Sequence, residues 1–246
     1  MPVILLHAGV ADSRMWEPQV PEFEKHFDVI RPDMRGFGQS ALPAVPWSPH
    51  GDVLALMDEL AVKPAHLVGC SMGGSLAIDL AIDHPGRISK LVLIGSGLSG
   101  QEPGKEHEGL FAAVEAADKS GDLEALNQAE MHLWLEGPNR PFGSSDKRLR
   151  DLFLDMNGAA LKAGWDWERA PMQQLEPPAL HRLHEVVAPA LVVIGDEDLS
   201  PVQETAELLA SSIKGARKAV IHDAAHLPNL EHPAEFNRIV LDFLLS

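Results

Sequence analysis

Gly69-Cys70-Ser71-Met72-Gly73 places a serine among glycines, at a point where an apolar run changes its period. Ahead of it, AHLVG reads as a short buried strand. Behind it, Leu76, Leu80, Ala77 and Ala81 recur at helical spacing. G-x-S-x-G at a strand–turn–helix junction suits a nucleophilic serine lifted off the sheet edge by a strained turn. The flanking glycines let strand and helix approach closely. The N–H of Met72 would then point at a reacting carbonyl oxygen and supply half of an oxyanion hole. The competing reading is ordinary, since serine is a favoured helix N-cap.

A serine hydroxyl is a weak nucleophile and requires a base oriented by a third group. The chain has 12 histidines, so context must choose among them. His226, in DAAHLPNLEHPAEF, falls between the last apolar run and the C-terminal helical segment and is the favoured base. His222, ending a strand, and His232, opening a helix, read as structural. His107, His132, His181 and His184 read first as solvated helix faces. For the acid, LVVIGDEDLSP offers Asp196, Glu197 and Asp198, and the residues alone leave that choice open.

The elements that must hold these groups alternate. Apolar runs over residues 2–7, 27–32, 65–70, 88–95, 188–195 and 216–222 are expected strands, continuous as in a parallel sheet covered on both faces. Helices are expected around 13–25, 49–61, 72–83, 201–213 and 232–244. The fold class is therefore α/β, with a parallel sheet and right-handed crossovers. From about Gly97 to Val187 no strand is expected, and roughly ninety residues is too long for one connection in a compact domain. The expectation is a core of residues 1–96 and 188–246, with 97–187 as a helical insertion.

With 246 residues, 45% of them hydrophobic, the chain can bury one large core. A formal net charge of -16 argues against nucleic acid or an anionic membrane surface as a partner. One cysteine, Cys70, rules out an internal disulfide framework and suits a reducing compartment. No apolar stretch has membrane-spanning length, and the first residues lack a basic leader, so a cytoplasmic protein is expected. No metal-ligand spacing or phosphate loop implies a cofactor.

LLHAGVADSRMW, the serine pentapeptide and WLEGPNRP together resemble the α/β-hydrolase superfamily. They are similar to its lidded serine hydrolases, such as 3-oxoadipate enol-lactonases, carboxylesterases and cofactor-free haloperoxidases. The resemblance covers nearly the whole chain and implies a mainly parallel sheet flanked by helices, with residues 97–187 as a lid. It implies Gly9 N–H as the second oxyanion donor, Ala8 standing where the family usually has glycine. The family's G-x-x-D pattern lands on Asp198, giving the order Ser71, Asp198, His226. His7 then braces a loop, and in RPDMRGFGQS an Asp33–Arg35 ion pair and the turns at Gly36 and Gly38 form scaffold.

The activity so implied is cleavage of a small or medium apolar ester or lactone through an acyl-enzyme. Alternatives are perhydrolysis or haloperoxidation on the same triad, or a non-catalytic small-ligand receptor on the same fold. Trp134, Trp165 and Trp167, with Met131, Met156 and Met172, are expected either to line an apolar pocket or to pack the lid onto the core. Compared with the family, the usual first two strands are not expected ahead of the strand that ends at His7, which implies either a trimmed or misassigned start or a shorter sheet. The strand edge thereby exposed invites pairing into a homo-oligomer.

Overall fold

The computed structural model describes residues 1–42, 45–101, 108–164, 173 and 175–246. The six apolar runs form β1 (Pro2–Leu6), β2 (Asp28–Ile30), β3 (Ala65–Cys70), β4 (Ile88–Ile94), β5 (Ala190–Gly195) and β6 (Arg217–Ile221). They pair in parallel as one sheet in the order β2-β1-β3-β4-β5-β6. The helices are α1 (Val20–Phe23), α2 (Pro49–Glu59), α3 (Met72–Asp83), α4 (Glu108–Ser120), α5 (Leu123–Met131), α6 (Lys147–Ala163), α7 (Ser200–Ser212), α8 (Pro228–Glu231) and α9 (Pro233–Leu245). Among the described residues no helix is long and apolar enough to cross a membrane.

Side chains alternate across each strand, and the register turns that alternation into two cores. Ile4, Leu67, Leu91 and Ala190 align across four strands and join Met57 of α2, Leu80 of α3 and Leu209 of α7. The next row, Leu5, Val68, Val92 and Leu191, faces the other way against Trp16, Phe236 and Val240. Both faces of the central strands are therefore buried, which is why their sequences read as unbroken apolar runs.

The helix expected over 13–25 is interrupted. A 3-10 turn at Ser13–Trp16 is followed by the single turn of α1. Pro18 separates them, because its ring removes the N–H that a continuous helix would need there. Between β4 and β5 the described residues contain α4, α5, a π-helical turn at His132–Glu136, α6 and two short 3-10 turns, with no strand. Met131, Phe153 and Met156 of this segment are buried in the second core.

Another expectation fails in detail. Asp33 and Arg35 do not pair with each other. Arg35 forms a two-pronged ion pair with Asp52 of α2, its Nη2 lying 2.8 Å from Oδ1. Asp33 instead accepts the N–H groups of Ser13 and Gln39 at 2.8 and 2.9 Å. Backbone donors close around the shorter side chain, and the longer arginine reaches a carboxylate on the neighbouring helix.

Candidate active site

The turn from β3 into α3 can form because nothing protrudes from two glycines. A Cβ on Gly69 would sit 2.3 Å from the Gly73 carbonyl oxygen, and one on Gly73 would sit 2.3 Å from that of Leu6. Helix and strands therefore touch backbone to backbone. Ser71, at the corner, has φ 52° and ψ −112°, a left-handed conformation that costs a non-glycine residue about 1–3 kcal/mol. It occupies the N-cap position of α3, yet its side chain makes no capping hydrogen bond. That leaves the hydroxyl unspent by the helix.

Backbone contacts fix the corner. Ser71 N–H donates to the Ile94 carbonyl at 2.8 Å, and the Ser71 carbonyl accepts from Gly97 and Ser75 N–H at 3.0 Å each. Met72 begins α3, so its N–H is among those a helix cannot satisfy internally. The Cβ position of Gly9 lies 3.7 Å from Met72 Cβ, which brings the loop after β1 alongside.

His226 reaches the same end of the sheet from the loop after β6. Its Nδ1 lies 2.9 Å from Asp198 Oδ2, and the two side chains are 3% and 1% exposed. Asp198 Oδ1 accepts the Leu199 N–H at 2.8 Å, which fixes the carboxylate plane. With an ionised Asp198, Nδ1 carries the proton and Nε2 is left as an acceptor. Gly95, next to the carbonyl that holds Ser71, also abuts this pair. A Cβ there would lie 3.0 Å from His226 Nδ1 and 3.2 Å from Asp198 Oδ2.

The three carboxylates after β5 have separate fates. Asp196 binds His222 Nδ1 and Asp223 N–H, both at 2.7 Å. Glu197 accepts from the Asn139 amide at 3.0 Å. Asp198 alone of the three meets His226. His232 hydrogen-bonds the Asp223 carbonyl at 2.9 Å, and His132 that of Arg140 at 3.1 Å. His7 has both ring nitrogens committed, Nδ1 donating to the Ala8 carbonyl at 2.8 Å and Nε2 accepting Met34 N–H at 2.9 Å. Burial pushes its pKa down. Cys70, adjacent to Ser71, is fully buried, and burial with Asp198 nearby pushes its thiol pKa far up. It is an inert neighbour.

Trp134 is brought to the histidine itself. Its ring lies 4.6 Å from the imidazole, centroid to centroid, and its carbonyl accepts the His226 N–H at 3.3 Å. Trp165, Trp167, Met172 and His107 lie outside the described residues. A cavity of about 880 Å³ has Met72 in its wall, while Ser71, Asp198 and His226 are not part of its lining. Its walls include Met72, Ser75 and Asp79 of α3, Trp47, and the Arg35–Asp52 pair. Trp134 is not part of that lining, whereas Trp47, which sequence reasoning passed over, is. Gly95 was also missed. A lone glycine at a strand end carries no signal until the histidine packs on it.

A family model described as the alpha/beta hydrolase fold matches residues 1–233 of the chain. The 2-hydroxymuconate semialdehyde hydrolase of Pseudomonas sp. (strain CF600) is 31% identical over 276 residues, covering 99% of this chain and 86% of that protein. A pimeloyl-[acyl-carrier protein] methyl ester esterase of Neisseria meningitidis serogroup C / serotype 2a is 28% identical, covering 98% and 93%. Among solved structures, the enol-lactonase from Burkholderia xenovorans LB400 superposes with a TM-score of 0.78 at 29% identity. It covers 100% of this chain and 92% of its own.

Proposed function

The chain belongs to the alpha/beta hydrolase fold family, and from that premise we propose that Ser71, His226 and Asp198 form a triad that cleaves a carboxylic ester through an acyl-enzyme. Relatives matching nearly its whole length are hydrolases and esterases, so ester hydrolysis is the activity its membership carries. The observation that carries the residue assignment is the buried 2.9 Å hydrogen bond between His226 Nδ1 and Asp198. It leaves Nε2 as a base at the sheet end where Ser71 sits, uncapped, on its strained turn.

In this reading Nε2 takes the Ser71 proton as Oγ attacks the carbonyl carbon. Asp198 holds the imidazole in the required tautomer and stabilises the cation it becomes. The N–H groups of Met72 and Gly9 receive the charge on the carbonyl oxygen, the geometry in which preorganised dipoles contribute most. The imidazolium then protonates the departing alkoxide. In the second half, His226 deprotonates water, which attacks the acyl carbon and frees Ser71.

Residues 97–187 are the lid in this scheme, and the packing of Trp134 over His226 supports a role in excluding water from the base. The acidic surface and the single buried Cys70 fit a cytoplasmic setting. The test is turnover of short neutral aryl esters by the wild type beside His226→Ala and Ser71→Ala. The wild type should show an acyl-enzyme burst followed by steady turnover. Wild-type rates surviving in Ser71→Ala would reject the triad.

A further inference from the structure

Four residues of α3, namely Met72, Ser75, Leu76 and Asp79, line the large cavity. Their spacing of three, four and seven puts them on one helix face, one above another. Seven residues of helix rise about 10 Å. The cavity thus runs from the proposed oxyanion donor Met72 to a carboxylate roughly 10 Å along the helix axis.

Among the described residues, its charged wall groups are three carboxylates, Asp33, Asp52 and Asp79, against one guanidinium, Arg35. Two of the three carboxylates are spoken for, Asp33 by backbone N–H groups and Asp52 by Arg35. His50 pairs with Ser48 Oγ at 3.2 Å. Asp79 is different. Among the described residues its one hydrogen-bond partner is Ser99, whose hydroxyl donates to Oδ1 at 2.9 Å. Ser99 is itself anchored by accepting the Ala179 N–H at 2.9 Å. The nearest charges outside the cavity are Asp83 and Arg182, and Arg182 is occupied by Glu185 and Asp83.

We propose that this cavity receives the part of the ester remote from the scissile carbonyl, and that Asp79 selects substrates tipped with a cationic or hydroxyl donor over those tipped with a carboxylate. The proposal rests on the hydrolase reading for the role of Met72, which lines the cavity next to Ser71 in the chain, and adds the substrate class. A cavity of about 880 Å³ is far larger than a short acyl chain needs, so its distal end has room for a further group of the substrate. Against the described wall, a second anion would meet net negative charge, whereas an ammonium would find an acceptor with a lone pair to spare. Burial, only partly offset by the Ser99 hydrogen bond, pushes the Asp79 pKa up to about 6. It is therefore charged at neutral pH, and the selectivity should fade below about pH 6 as it protonates.

The experiment compares three methyl esters of equal chain length, those of ω-aminooctanoate, octanoate and the suberate half-ester. They are assayed on wild type, Asp79→Asn and Asp79→Glu. Wild-type kcat/KM should favour the amino ester over the half-ester by about tenfold or more, the worth of one hydrogen-bonded charge. Asp79→Asn should erase most of that ratio by raising KM for the amino ester, and Asp79→Glu should keep its sign. A ratio that survives Asp79→Asn, or a wild-type preference for the half-ester, overturns the proposal. Calorimetric titration of hexylammonium chloride separates this from failure of the hydrolase reading. If no ester is turned over, saturable binding to wild type that is lost in Asp79→Asn upholds the Asp79 site, and no binding to wild type overturns it.

Discussion

Arg140 Nη2 lies 2.8 Å from Glu231 Oε2, and the other oxygen of that carboxylate accepts the N–H of Ala225, the residue before His226, at 2.8 Å. The stretch from Trp134 to Arg140 thus grips the histidine loop at two points, and Asn139 grips the acid loop through Glu197. Burial pushes the Glu231 carboxyl up and Arg140 pulls it back down. Arg140→Ala would strand a carboxylate that is 6% exposed, at a cost of roughly 3 kcal/mol. Denaturant titration should show that loss, together with a fall in kcat that Arg140→Lys partly restores.

Gly95 leaves room for the imidazole, and its φ of 44° adds a backbone reason for glycine. Gly95→Ala should push His226 away from Asp198 by a few tenths of an ångström. We expect kcat to fall by about tenfold or more with KM little changed, since geometry at the base matters chiefly in the transition state. Equal losses in kcat and in thermal stability alone, with the pH profile unmoved, would point to strain elsewhere.

Ser71 carries strain that a glycine would not. Ser71→Gly and Ser71→Ala should both abolish turnover, but Ser71→Gly should melt higher. Alanine keeps the left-handed penalty of about 1 kcal/mol or more, while glycine releases it at a smaller cost in unfolded-chain entropy. Differential scanning calorimetry of the two variants decides the point, and identical melting temperatures would count against a strained elbow.

Asp79 links stability to pH. Its folded pKa, about 6, stands above the ordinary 3.8 because burial disfavours the charge. A raised carboxyl contributes stability that is fully present below the ordinary value and is lost as pH rises through about 6. Asp79→Asn removes that loss. Its melting temperature relative to wild type should therefore rise between about pH 4 and pH 8, and a constant difference would contradict the assignment.

The sheet was legible because its strands are buried on both faces, and unbroken runs such as those of β3 and β5 have few other uses. Ser71 and His226 stand out in the sequence as candidates because each sits where an element changes type. The choice of Asp198 over Asp196 and Glu197 needed either the family pattern or coordinates, since three adjacent carboxylates point in different directions that composition does not encode. Arg35 misled for a related reason. Its partner, Asp52, is distant in sequence and close only after α2 packs beside the loop. Nothing in the sequence sets Asp79 apart, and only the cavity beside it gives it meaning.

The most direct measurement is the intact mass of the wild-type protein after treatment with a fluorophosphonate, beside Ser71→Ala and His226→Ala. The account predicts one adduct on the wild type, located at Ser71 by peptide mapping, none on Ser71→Ala and slow labelling of His226→Ala. A folded wild type that takes no adduct, or an adduct that persists in Ser71→Ala, would contradict it.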